Sequence, residues 1–185
     1  MITPVAQKPK LTYNDYLKTP DDQRYELIEG ELIMTPSPAT YHQWVSKNIE
    51  YELERFVREK KTGKIFYAPY DVCLDNENVL QPDILFISKE RFSIIGEKNV
   101  RGAPDLVVEI LSESTAYNDL IKKKKLYAKH GVREYWIVDP GEKSIEIYSL
   151  VGKEFVISSS FSINDNLVSP LLSGLKIELA SVFSY

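Results

Sequence analysis

Hydrophobic and polar positions recur along this chain with two different periods, and the changes of period mark out its elements. Over residues 41–60 the apolar side chains Val45, Ile49, Leu53, Phe56 and Val57 return every three to four positions, which predicts an amphipathic helix packed on a core. Before it, Tyr25-Glu26-Leu27-Ile28 and Glu31-Leu32-Ile33-Met34 flank Glu29-Gly30, the pattern of two strands around a tight turn. A short helix is expected over residues 11–18, with Thr12 as its cap and the Thr19-Pro20 step as its end. Three strands should follow the long helix, at about 64–74, 83–87 and 105–111, as an antiparallel meander with a charged segment near 89–101 before the last. Ser114 or Thr115 can cap a second helix that runs to about Lys129 and stops at His130-Gly131. Glu134-Tyr135-Trp136-Ile137-Val138 is another apolar strand. Strand, helix and strand in that order imply a right-handed parallel crossover and therefore a mixed sheet. Residues 144–149 and 154–158 read as further strands that extend or flank it.

Composition narrows the class without deciding the function. With 185 residues, 43% hydrophobic and 27% charged, the chain fits one globular domain over residues 1–185 with a single substantial core. No apolar run approaches the roughly 20 residues of a membrane helix, and the first residues begin no secretory signal. A cytoplasmic location without a membrane partner is the resulting expectation. The lone Cys73 belongs to no metal-type cysteine cluster and reads as a small core residue. A net charge of −4 argues against wholesale wrapping of nucleic acid but leaves local contact open.

One residue breaks the apolar pattern. Leu106-Val107-Val108-Glu109-Ile110-Leu111 reads as a buried strand with a carboxylate in its interior, and a buried carboxylate needs a cation, a metal or a proton beside it. Asp83 opens the preceding strand after Pro82. If the two strands are antiparallel, the start of one meets the end of the other and the acids converge. Two oxygen donors completed by waters suit Mg²⁺ or Mn²⁺. The bland alternative has Asp83 capping a turn and Glu109 paired with a lysine. On the following helix, at about 100° per residue, Tyr117, Leu120, Ile121 and Ala128 form an apolar stripe with Lys124 near its centre. Lys123 falls on the flank beside Asp119 and Tyr127, so periodicity alone nominates Lys124. Glu26 could assist as a third ligand or a water-positioning base, or could be a solvent-facing hairpin acid. His42 lies in line with Val45 and Ile49, which suggests packing more than catalysis. Glu113 either reaches the site or begins the helix with a favourable charge.

The ordered set of these segments resembles a known family. Helix, three-strand meander, helix and strand, with acids in Gln81-Pro82-Asp83 and Val108-Glu109-Ile110-Leu111, resemble the PD-(D/E)XK nuclease superfamily. Within it, Tyr25-Glu26-Leu27-Ile28-Glu29-Gly30, Pro104-Asp105-Leu106 and Gly131-Val132-Arg133-Glu134-Tyr135-Trp136 resemble the restriction-endonuclease family of bacterial proteins that is numerous in cyanobacteria. The resemblance implies an α/β (α+β), restriction-endonuclease-like fold with an extra N-terminal hairpin and a C-terminal β segment. It also implies hydrolysis of phosphodiester bonds in DNA, with Mg²⁺ or Mn²⁺ held by Asp83 and Glu109. The superfamily's lysine two residues after the second acid falls on Leu111 here. In the resembling family a lysine four residues before a tyrosine takes its place, and that position is Lys123, preceding Tyr127. The expected catalytic set is therefore Asp83, Glu109 and Lys123, assisted by Glu26. A catalytically silent nucleic-acid- or protein-binding domain of the same fold is the alternative. The 12 tyrosines and 11% aromatic content leave room for a homodimer interface.

Overall fold

The periodic residues of the long helix do form one buried stripe. In α2 (Thr40–Lys60), Val45, Ile49, Leu53 and Val57 all lie in the interior. The computed structural model describes residues 9–20, 22–112 and 119–185. A single helical turn, α1 (Tyr13–Tyr16), begins at Thr12, whose amide donates to Asp15 Oδ2 at 3.0 Å. The hairpin of β1 (Tyr25–Ile28) and β2 (Glu31–Met34) turns through Glu29 and Gly30 at φ 53° and 82°. Two consecutive left-handed residues match the twist of the flanking strands.

The meander is built from β3 (Gly63–Tyr67), β6 (Ile84–Ser88) and β8 (Leu106–Ile110), each antiparallel to the next. The strand expected over 64–74 is instead two strands in two sheets. Pro69 has no amide hydrogen to donate, so the ladder stops there, and the chain resumes as β4 (Asp71–Asp75) in the other sheet. There β4 pairs with β5 (Asn78–Leu80) and β7 (Asn99–Arg101), giving a five-stranded sheet ordered β2-β1-β5-β4-β7. At three residues each, β5 and β7 are too short to show a period.

Beyond β8, a π-helical turn over Asp119–Lys123 runs into α3 (Lys124–His130), which Gly131 ends at φ 91°. The chain then enters β9 (Glu134–Asp139), parallel to β8. The cap expected at Ser114 or Thr115 lies outside the described residues. β10 (Ser144–Val151) and β11 (Glu154–Ser162) complete a six-stranded mixed sheet ordered β11-β10-β9-β8-β6-β3. The C-terminal β segment continues as a separate two-stranded sheet of β12 (Asn166–Leu167) and β13 (Ile177–Glu178), and α4 (Leu179–Phe183), which the sequence did not mark, packs on the core beside α2.

Apolar residues on the two faces of β8 feed two cores. Leu106, Val108 and Ile110 pack with α2 and α4, whereas Val107 packs with Tyr127 of α3, Tyr135 of β9 and Ile28 and Leu80 of the second sheet. All five residues of β8 are buried, as a strand covered on both faces must be. Glu109 shares the Val107 face by alternation, which directs it toward α3.

Candidate functional site

Strand register brings the acids together. Ile84 pairs with Val108, so Asp83 and Glu109 are the next antiparallel neighbours at the sheet end. Asp83 Oδ2 accepts the Ile110 amide at 2.8 Å, which fixes its carboxylate beside the peptide that follows Glu109. From the first turn of α2, His42 Nε2 lies 3.1 Å from the Ile110 carbonyl and 3.4 Å from Asp83 Oδ2. Two acceptors around one nitrogen place the hydrogen on Nε2, while Nδ1 is buried with no partner among the described residues. Burial works against charging this imidazole, yet the Asp83 hydrogen bond and charge and the Ile110 carbonyl outweigh it and raise its pKa. His42 therefore does more than pack: it ties α2 to both acid-bearing strands.

Glu109 is held from the opposite side by α3. Its Oε1 accepts from the Tyr127 hydroxyl at 2.7 Å and its Oε2 from Lys123 Nζ at 3.2 Å. Lys123 and Tyr127 are four residues apart and so project from one side of a helix. Lys123 Nζ also lies 3.0 Å from Glu26 Oε1, which accepts the Gln81 amide at 2.8 Å. Glu26, Glu109 and Lys123 are 4%, 3% and 5% exposed, so Glu26 is no solvent-facing hairpin acid. Burial, followed by the charges of Glu109 and Glu26, raises the Tyr127 pKa well above that of an ordinary phenol. The hydroxyl thus stays protonated and donates.

Periodicity had pointed to Lys124, and the π-helical turn explains the discrepancy. Its wider winding rotates the residues before α3 away from the 100° spacing, and Ile121, assigned to the apolar stripe, is exposed. Lys124 Nζ sits instead 3.4 Å from the centroid of the Tyr148 ring, where burial lowers its pKa. Glu113 lies outside the described residues.

Asp83, Glu26, Glu109, Lys123 and His42 all line one open cleft of about 1410 Å³. Among the described residues its floor holds three carboxylates, Asp83, Glu26 and Glu109, with Lys123 and the His42 imidazole beside them. Asp83, with its side chain 18% exposed, offers the more open oxygens. Among the described residues no three of His, Cys, Asp and Glu come together as a metal-holding group. Two carboxylates are nevertheless a sufficient protein share for an ion such as Mg²⁺, which keeps several of its waters. By residue type the donor set fits, with Asp83 the accessible member and both Glu109 oxygens already accepting from Tyr127 and Lys123. Sequence reasoning missed the Gln81 side chain, which accepts from Arg24 Nε at 3.2 Å and donates to Asp71 Oδ1 at 2.8 Å. It also used Tyr127 only as a spacing mark; a hydroxyl four residues after a lysine was the available signal.

Residues 12–180 match the model of a family described as "Uma2: Putative restriction endonuclease". The chain belongs to the Uma2 family. An uncharacterized protein of Synechocystis sp. is 26% identical over 153 residues, covering 80% of this chain and 85% of its own length. A solved structure from Anabaena variabilis, described as a putative nuclease belonging to DUF820, superposes with a TM-score of 0.78 at 22% identity. That match covers 94% of this chain and 97% of the other, and it shows the nuclease-like α/β fold that the motif order implied. The Uma2 description supports a nuclease activity acting on nucleic acid. Among the described residues, no helix is long and apolar enough to cross a membrane.

Proposed function

We propose that this Uma2 protein is an endonuclease that hydrolyses phosphodiester bonds in DNA with Mg²⁺ or Mn²⁺ held by Asp83 and Glu109. The observation that carries the reading is that Asp83, Glu109 and Lys123 line one open cleft, with Lys123 Nζ on Glu109. A bound divalent ion supplies Lewis acidity to the phosphodiester and to water. Lys123 places a fixed ammonium where negative charge grows on the phosphate oxygens, and its two carboxylate contacts hold it there before substrate arrives. Tyr127 and Lys123 orient the two oxygens of Glu109. His42 and the Ile110 amide orient Asp83. Glu26 anchors Lys123 and the Gln81 backbone, and so positions the turn that carries Asp83.

A second reading has one observation in its favour. Glu109 is only 3% exposed, as a structural acid would be in a silent binding domain of this fold. Incubation of the purified protein with plasmid and oligonucleotide DNA plus Mn²⁺ or Mg²⁺ separates the two. Hydrolysis should fall by about 10²–10³ in Asp83→Asn, Glu109→Gln and Lys123→Ala, the scale set by loss of a preorganised electrostatic group. Equal cleavage by all four proteins would overturn the assigned roles. Absence of cleavage by the wild type with either ion would favour the silent domain.

A further inference from the structure

The walls of the cleft differ from its floor. Tyr67, at the end of β3, and Trp44, in α2, both line it and remain 62% and 36% exposed. Tyr67 is adjacent to the chemistry: it pairs with Ile84, and the next residue, Ala68, donates its amide to the Asp83 carbonyl at 3.0 Å. Trp44 lines the cleft from α2, with Lys47 Nζ 5.1 Å from its ring centroid, its indole N–H donating to the Ser184 carbonyl and the Tyr185 ring packed against it edge-on at 5.6 Å. Met34 adds an exposed apolar side chain from the hairpin.

Charge on the walls is sparse and of the wrong sign for a duplex. Among the described residues, Glu50 and Asp139 join the three acids of the floor, while the basic side chains of the lining are Arg24, Lys47 and Lys123. Lys123 is paired with buried carboxylates, and Arg24 is hydrogen-bonded to Gln81. Duplex DNA is held mainly by many cations along its phosphates. Here the acids outnumber the bases, so an ion bound on the floor leaves no positive excess for tracking two backbones. The reacting carboxylates are also recessed, with Glu109 nearly closed to solvent. A phosphate flanked by unstacked bases can descend to them, whereas one embedded in a paired helix brings the bulk of both strands against the walls.

Resting on the nuclease reading above, we propose that the substrate is an unpaired DNA strand whose bases stack on Tyr67 and Trp44 while the intervening phosphate reaches Asp83 and Glu109. Every base has a π face, so such a platform tolerates sequence, and its salt dependence is set by how few cations reach the phosphates.

The test measures binding of a fluorescent 20-nucleotide single strand and of the matching duplex by anisotropy in Ca²⁺, and cleavage of both in Mn²⁺, across a salt series. Wild type, Tyr67→Ala, Tyr67→Phe and Trp44→Ala are compared, with sedimentation reporting oligomeric state. The single strand should bind and be cut at least about tenfold better than the duplex. Tyr67→Ala and Trp44→Ala should each weaken binding by about fivefold or more, and Tyr67→Phe should retain it. With two outward cations at about −0.7 each, the log–log salt slope should be no steeper than about −2. Preferential cutting of duplex, a much steeper slope, or alanine variants that change only self-association would overturn the inference and leave the nuclease reading standing. Single-strand binding with the stacking signature but without cleavage would uphold the platform and overturn the nuclease reading.

Discussion

Lys123 holds two buried carboxylates with one ammonium, and this is the most consequential interaction in the molecule at the scale of single residues. Removing one partner of a buried charge set strands the other, typically at a cost of about 3–5 kcal/mol. Lys123→Ala should therefore lower stability by about that much in urea unfolding of the metal-free protein, and adding Glu26→Gln should recover part of the loss. A cost for Lys123→Ala no larger than for an exposed lysine would mean that the cluster is not coupled as drawn. Glu109 was legible in the sequence because a charge inside an apolar strand has few explanations. Glu26 was named from its place in the family pattern, but its residue pattern alone left a solvent-facing hairpin acid open, because its burial depends on Lys123 from a helix far along the chain.

Element boundaries were clear where a period is long and unbroken, as in α2, and obscure where backbone geometry interrupts it. The π-helical turn before α3 shifted the face of the lysine run, so spacing favoured Lys124 although Lys123 meets Glu109. The Pro69 break moved half of an expected strand into the second sheet. That sheet is fastened to α3 by Asp75: Oδ1 accepts the Glu77 amide at 2.8 Å and the Asn78 side chain at 2.7 Å, and Oδ2 lies 2.9 Å from His130 Nε2. Burial opposes ionisation of Asp75, but the Asn78, Glu77 and His130 contacts outweigh it and lower its pKa. A depressed carboxylate stabilises the fold above its unfolded pKa, and that contribution is lost as pH falls through the folded value. Asp75→Ala should thus be destabilised at neutral pH, with the gap to wild type closing as pH is lowered below about 4. A gap unchanged down to pH 2 would show that the contact contributes nothing through its charge.

Across the whole molecule, the cleft lies where the six-stranded sheet, the β1–β2 hairpin, α2 and the helix after β8 come together. The meander and the parallel return to β9 follow from local order and motif spacing. The partition into two sheets does not, because it depends on pairings such as Leu27 with Val79 between distant three- and four-residue strands. The convergence leaves three carboxylates on the floor of the cleft beside Lys123 and His42, where the proposed Mg²⁺ or Mn²⁺ would bind. An ion bound by the folded state alone raises stability by about 2.7 kcal/mol at a hundredfold excess over its Kd. The most direct measurement is therefore thermal unfolding of wild type and the Asp83→Asn/Glu109→Gln double variant across a Mn²⁺ titration. A saturable rise in Tm for the wild type that the double variant lacks is the predicted result; equal rises in both proteins, or none in the wild type, would contradict it.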